Sequence, residues 1–245
     1  MIGYNPTMVT DGLVLCLDAA NGRSYPGSGT AWNDLSGNGN NGTLTNGPTY
    51  SSNNLGYFSF DGVNDEVTLG DTLGNFGNDN FTISFWTKTS DSGGSKSFIA
   101  KSIGGGTPVA NYGWLLNNAN SGEIGFAMAG SNYSGGGFAA TVGAYSVKTN
   151  GLNIASNIWK FVSVVADRGS IDVNIYVNGN LANITDYVGG KGKLNTVGSV
   201  SNTRILKIGA ESDDLWINAL IAQVSIYNRA LTPDEIKQNF NATRG

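Results

Sequence analysis

Short runs in which apolar and polar residues alternate dominate this chain of 245 residues. In residues 81–88, phenylalanine and isoleucine alternate with threonine and serine, and residues 171–177 alternate in the same way before Asn178-Gly179. Such alternation places successive side chains on opposite faces of a β-strand, and Asn-Gly supplies the positive φ angles of a two-residue hairpin turn. The pattern therefore predicts an all-β chain in which residues 180–184 return antiparallel to the strand before them.

Further strands are predicted wherever a similar run lies between clusters of Gly, Asn and Ser. A chain of this length suits one large β domain, because β-sandwiches commonly reach about 200–250 residues. The number of runs is typical of a β-sandwich, with residues 158–166 apolar on both faces and so expected at the centre of a sheet. The other predicted strands are residues 13–18, 57–60, 66–69, 97–101, 113–117, 122–128, 204–208 and 220–227.

One helix is predicted, and it lies at the C-terminal end of the chain. Thr232 is placed at the N-cap, Pro233 at the first helical position and Glu235 two positions later, which is a capping box. Ile236 and Phe240 then share one apolar stripe. We expect this helix to close the end of the sandwich.

Composition excludes several classes of function. The chain has no histidine and a single cysteine, so it cannot build a Ser-His-Asp or Cys-His catalytic system, an imidazole or thiolate metal site, or an intrachain disulfide. Cys16 lies between two leucines and is expected to be a buried small apolar residue. The net charge of −4 disfavours nucleic acid, and no apolar run reaches the ~20 residues of a membrane span. We expect neither membrane insertion nor a secretory signal.

Four segments in order along the chain carry a resemblance to a known family: residues 32–44, 60–67, 159–179 and 206–236. Together they resemble a laminin-G-like domain of the concanavalin A-like lectin and glucanase superfamily. The resemblance implies a jelly-roll sandwich of two antiparallel sheets whose first and last strands are neighbours. Residues 13–17 are therefore expected to pair antiparallel with the last strand.

The sequences of residues 12–20 and 227–244 are similar to domains in structural proteins of tailed phages. This resemblance implies a non-enzymatic protein of the virion surface, made in the host cytoplasm, that decorates the capsid or forms part of a tail or fibre. Its expected partners are other virion proteins and, weakly, host-surface glycans, and virion display favours a homo-oligomer. The alternatives are a free carbohydrate-binding lectin module and, third, a glycoside hydrolase.

Three kinds of surface feature would separate these alternatives. An exposed apolar docking patch would favour the virion protein, a tryptophan-lined groove with Ca²⁺ would favour the lectin, and two facing carboxylates in a cleft would favour the hydrolase.

Residues 1–11 are expected to form an N-terminal arm outside a single domain of residues 12–245. The apolar residues of that arm would be available for an interface, namely Ile2, Tyr4, Met8 and Val9.

The most lectin-like group of residues is Asp213, Asp214 and Trp216. Carboxylates accept hydrogen bonds from sugar hydroxyls, and an indole face covers the apolar side of a pyranose. The alternative for Trp216 is a buried position under its own loop. Tyr133 is a second ligand-binding candidate, because it stands among Ser, Gly and Asn as in adaptable recognition loops.

Asp61 and Asp65 bracket a glycine turn and are the candidate ligands of Ca²⁺, which prefers oxygen donors. The alternative is that Asp61 accepts hydrogen bonds from turn amides. No cofactor is required by the sequence. Glu211 and Asp213 are spaced like a pair of superfamily glucanase carboxylates, but Leu215 stands where the next carboxylate is needed, so no catalytic residue is predicted.

Overall fold

Two antiparallel sheets pack face to face in the computed structural model, which describes residues 7–102, 113–119, 122–133, 143–187, 192–211 and 215–244. The elements are β1 (Leu13–Asp18), β2 (Ala31–Trp32), β3 (Gly42–Thr45), β4 (Thr49–Ser51), β5 (Tyr57–Asp61), β6 (Glu66–Thr68), β7 (Phe81–Lys88), β8 (Ser97–Ser102), β9 (Gly113–Ala119), β10 (Glu123–Ala129), β11 (Ala144–Thr149), β12 (Lys160–Ala166), β13 (Asn174–Val177), β14 (Asn180–Leu181), β15 (Ile184–Asp186), β16 (Lys207–Ile208), β17 (Asn218–Tyr227) and α1 (Pro233–Thr243). Two short 3-10 helices occur at Asn53–Leu55 and Leu194–Thr196.

The first sheet has the strand order β14-β13-β12-β7-β17-β5-β4, with β1 also paired to β17. The second sheet has the order β15-β11-β10-β9-β8-β16-β6-β3-β2. The all-β jelly-roll prediction is confirmed, and β12 lies inside its sheet as expected. β1 pairs antiparallel with β17, from Leu13 opposite Tyr227 to Asp18 opposite Gln223, which confirms the predicted pairing of the first and last strands.

The core lies between the two sheets and follows the alternation of the sequence. Phe81, Ile83 and Phe85 of β7 are fully buried in it, and they face apolar residues of the second sheet such as Phe98. Cys16 is buried as predicted, and burial raises the pKa of its thiol to about 12. The remaining face of each first-sheet strand points away from the core.

The hairpin at Asn178-Gly179 is confirmed, since both residues have positive φ angles of 52° and 73°. The prediction that residues 180–184 return as one strand is wrong. Only β14 pairs with β13, at the edge of the first sheet, and the chain then crosses to the second sheet, where β15 pairs with β11. In the described chain β14 is the edge strand of the first sheet, and β15 covers the edge of β11 in the second.

Helix α1 begins with the predicted capping box, in which the Thr232 hydroxyl accepts from the Glu235 amide and the Glu235 carboxylate accepts from the Thr232 amide. Arg229 forms a two-point ion pair with the same carboxylate, and these hydrogen bonds lower the pKa of Glu235 to about 2. The helix packs on the outward face of the first sheet, where Ile236 lies against Val165 and Tyr227. The expectation that the helix closes the end of the sandwich is therefore wrong, because the side chains that it covers lie on the outward face of the first sheet.

Residues 7–10 run along α1 and the end of β17. The Val9 amide donates to Asn239 Oδ1 at 2.9 Å, and the Tyr227 hydroxyl donates to the Val9 carbonyl at 3.0 Å. Val9 is only 8% exposed, so the prediction that it is available for an interface is wrong: the chain's own helix already covers it. Residues 1–6 lie outside the described part of the chain.

Among the described residues, no helix has the length and hydrophobicity that crossing a membrane would require.

Candidate functional site

A groove of about 500 Å³ lies on the outward face of the first sheet, beside the C-terminal end of α1. We call it the tryptophan groove, and its walls include Asp18, Trp86, Trp159, Gln223 and Arg244. Its size is within the usual range for a small-molecule site, about 300–1,000 Å³. Met8 also lines it, so this residue, which the sequence had suggested for an interface, is used within the chain.

Strand alternation aims three of these side chains into the groove. Phe85, Val224 and Leu17 point into the core, so their neighbours Trp86, Gln223 and Asp18 point outward. β1 and β7 both pair with β17, which brings the three residues onto one face of the sheet. The last turn of α1 then adds a wall with Ala242, Thr243 and Arg244.

Trp86 is held in a fixed orientation. Its indole N–H donates to Thr243 Oγ1 at 2.8 Å, and its ring contacts Phe161 and Phe240 at centroid distances of 5.5 and 5.8 Å. These contacts lock the indole between β12 and α1 while it stays half-buried. It therefore presents a preorganised aromatic surface to the groove.

Trp159 forms the second aromatic wall, and its ring contacts that of Tyr57 at 5.7 Å. Its indole nitrogen is buried and has no hydrogen-bond partner among the described residues. A buried donor without an acceptor costs about 1–3 kcal/mol of stability. Phenylalanine would fill the same position without that cost, so the tryptophan is an unfavourable choice for stability alone.

The groove also carries charged and polar groups. Asp18 Oδ1 accepts the Ala20 amide at 3.0 Å, and burial raises the pKa of the Asp18 carboxyl. Arg244 is exposed, with its guanidinium 5.8 Å from the ring of Phe240, and within the described chain it forms no ion pair. Gln223 Nε2 donates to the sulfur of Met8. Aromatic faces beside hydrogen-bonding groups of both kinds suit a sugar ring.

Of the residues that the sequence suggested for ligand binding, Trp216 and Tyr133 do not line this groove. Asp213 and Asp214 lie outside the described residues. Trp216 is half-buried beside β8, where it forms an isolated bridge with Ser97. Tyr133 is half-buried in a turn, its amide donating to the Gly130 carbonyl. Their roles in ligand binding stay predictions.

One signal in the sequence could have found Trp86. In the alternation of β7 it stands on the same face as Thr82 and Ser84. That polar face would be expected to contact solvent, where a large aromatic residue is unusual unless it has a partner or a function. No comparable signal marks Trp159, Asp18 or Arg244, since they come from distant parts of the chain.

Asp61 and Asp65 share one turn. Asp61 Oδ1 accepts the Val63 amide at 2.8 Å, and Asp65 Oδ2 accepts the Asp61 amide at 3.1 Å. Burial raises the pKa of the Asp65 carboxyl. These are the turn contacts of the alternative explanation, and no cluster of three or more acidic or cysteine side chains that could hold a metal occurs in the described part of the chain. Ca²⁺ at this turn stays a prediction.

Glu211 lies in the loop after β16 and is buried. It accepts the Ser102 hydroxyl at 2.6 Å, and its expected companion Asp213 is outside the described residues.

Comparison with known proteins places this architecture in context. A family model described as the concanavalin A-like lectin/glucanases superfamily matches residues 61–237. No curated protein matches the sequence significantly.

Three of the solved structures that share the fold are binding domains of toxins or related proteins. The binding domain of Paraclostridial Mosquitocidal Protein 1 has a TM-score of 0.70 at 19% identity, over 95% of this chain and 52% of that chain. The receptor binding domain of botulinum neurotoxin C/D mosaic serotype has a TM-score of 0.68 at 17% identity, over 96% and 52%. The botulinum neurotoxin serotype D ligand binding domain, solved in complex with N-acetylneuraminic acid, has a TM-score of 0.69 at 17% identity, over 96% and 52%. The chain thus spans about half the length of each, and at these identities the likeness concerns the fold.

Proposed function

Because this chain belongs to the concanavalin A-like lectin/glucanases superfamily, we propose that it is a non-catalytic carbohydrate-binding domain whose ligand lies in the tryptophan groove. The superfamily resemblance seen in the sequence is thereby confirmed. The fold alone does not define a ligand, so the proposal depends on the site.

The observation that carries the proposal is the pair of tryptophans, Trp86 and Trp159, that line one groove. The hydrogen bond of Trp86 to Thr243 and its ring contacts with Phe161 and Phe240 hold its indole in place, so its aromatic surface is preorganised for a ligand. An aromatic wall on a sugar-sized groove, next to a carboxyl and a guanidinium, is an arrangement that favours a carbohydrate.

Two further points support the proposal. One similar structure was solved with a bound sugar, N-acetylneuraminic acid. The described walls of the groove contain one carboxyl, Asp18, whereas glycoside hydrolysis needs two carboxyl groups on either side of the scissile bond. Binding without cleavage is therefore the function that this site favours.

We expect Trp159→Ala to weaken glycan binding about tenfold, since an aromatic contact on a ligand contributes about 1.5 kcal/mol. The measurement is a glycan array with the full chain, followed by calorimetric titration of the strongest ligand. Trp159→Phe should weaken binding as well, yet leave the melting temperature unchanged or higher because the unpaired N–H is removed.

Trp32→Phe is the matched control for this experiment. The Trp32 indole N–H is also buried without a partner in the described part of the chain, but the residue lies in the core against Phe58 and away from the groove. This variant should bind glycans as the unmodified chain does. A Trp159→Phe protein with unchanged affinity, or a chain that binds no glycan on the array, would contradict the proposal.

We propose further that this domain is displayed on a virion surface, as a capsid decoration or a tail or fibre component that contacts other virion proteins. The support is the similarity of residues 12–20 and 227–244 to structural proteins of tailed phages. These two segments include β1 and α1, and they supply Asp18, Thr243 and Arg244 to the walls of the tryptophan groove. Density for the domain in particles, or its absence from them, would decide this part of the proposal.

A further inference from the structure

We infer that the ligand of the tryptophan groove is an acidic sugar whose carboxylate pairs with Arg244. This inference rests on the proposed carbohydrate function and adds the chemical class of the sugar. It makes Arg244 the residue that selects acidic over neutral ligands.

Arg244 is placed to receive an anion. It caps the C-terminal end of α1 and lines the groove, and its guanidinium lies near the ring of Phe240. No carboxylate of the described chain pairs with it. By contrast, Arg229 forms ion pairs with Glu235 and Asp11, and these contacts stabilise the fold. A planar guanidinium binds a carboxylate through two parallel hydrogen bonds, which a sugar carboxylate can accept.

Asp18 limits how much negative charge the ligand can carry. Its carboxyl lines the same groove and would repel an anion placed against it, but it can accept hydrogen bonds from hydroxyls. Burial raises the pKa of this carboxyl, which weakens the repulsion as the pH falls. The groove therefore suits a ligand with one carboxylate and several hydroxyls, and it disfavours a polyanion.

The aromatic walls complete the match. Trp86 and Trp159 present half-buried indoles to the same space. Such surfaces cover the apolar face of a pyranose and do not require charge. Neutral and acidic sugars would thus share the aromatic contacts and differ only in the contact with Arg244.

The test compares acidic and neutral glycans on the full chain. The probes are sialyllactose and a hyaluronan tetrasaccharide, with lactose and chitotetraose as neutral counterparts and the methyl ester of sialyllactose as the uncharged analogue. We expect the acidic glycans to bind at least about tenfold more tightly, since hydrogen bonds between charged partners are the stronger ones. Arg244→Gln should abolish this preference while binding of neutral glycans persists, and Arg244→Lys should restore part of it.

Arg204→Gln is the matched control, because Arg204 is exposed and lies outside the groove, and it should leave the preference unchanged. Asp18→Asn should strengthen binding of acidic glycans and flatten its dependence on pH. Binding of neutral glycans as tight as that of acidic ones, with Trp159 still required, would overturn this inference and leave the proposed function standing. Absence of binding to every glycan would overturn both.

Discussion

Replacing Asp34 with alanine is expected to lower the free energy of unfolding by about 3 kcal/mol, because one carboxylate organises a whole loop. Asp34 Oδ1 accepts the amides of Cys16 and Ser36, both at 2.9 Å. Its Oδ2 accepts the Ser36 hydroxyl at 2.7 Å and the Asn40 amide at 3.1 Å. The alanine variant would leave four donors without this acceptor. Urea unfolding measures the change.

The loss should extend to β1, because the same loop covers the edge of β1 that β17 does not use. Asn38 and Asn40 donate to the carbonyls of Leu13 and Val14, and the Leu35 amide donates to the Cys16 carbonyl. Asp34→Asn keeps one acceptor oxygen and should lose about half as much stability. A change below about 0.5 kcal/mol in the alanine variant would show that the loop holds its shape without this carboxylate.

The second large effect concerns Lys101, whose side chain is fully buried. Its ammonium donates to the carbonyls of Asp71 at 2.6 Å and Arg204 at 2.5 Å, and burial lowers its pKa from 10.5 to about 8. Below pH 8 the lysine is protonated in both folded and unfolded chains. Between pH 8 and 10.5 the unfolded chain binds more protons, so stability rises with pH, by about 3 kcal/mol over the whole window.

Lys101→Met should remove this rise, and urea unfolding of both proteins between pH 7 and 10.5 measures it. The comparison with the variant is necessary because burial raises the pKa of Tyr145 and Tyr227, so above pH 10 these residues lower stability in both proteins. The difference between the two proteins isolates the lysine. Parallel stability curves across this range would refute the assignment of a buried charge to Lys101.

Elements that are specified by neighbouring residues could be predicted from the sequence. The start of α1 was predictable because a capping box is made by residues three positions apart, and β7 was predictable because alternation is a local property. The segment of residues 32–44 was recognisable as a motif, although the role of Asp34 in it appeared only in the hydrogen bonds. Residues 144–149 were missed as a strand, although Tyr145 and Val147 alternate there and are buried in the core.

The errors came from features that depend on partners. Ile171 was expected to share a strand face with Val173 and Ile175, yet it is 54% exposed, because β13 begins only at Asn174. The sheet that residues 180–184 join depended on where an open strand edge was available. Lys101 stands in an alternating run where lysine would ordinarily face solvent, and only the loops that close over it make it buried.

The sequence by itself determined the all-β class, the pairing of the first and last strands through the family resemblance, and the terminal helix, because these follow from local periodicity and from short motifs. Only the tertiary structure decided where the tryptophan groove forms. Asp18, Trp86, Trp159 and Arg244 come from β1, β7, the residue before β12 and the end of α1, and no local pattern relates them. They meet because β17 pairs with both β1 and β7 while α1 folds back over the outward face, and these long-range contacts exist only in the packed chain.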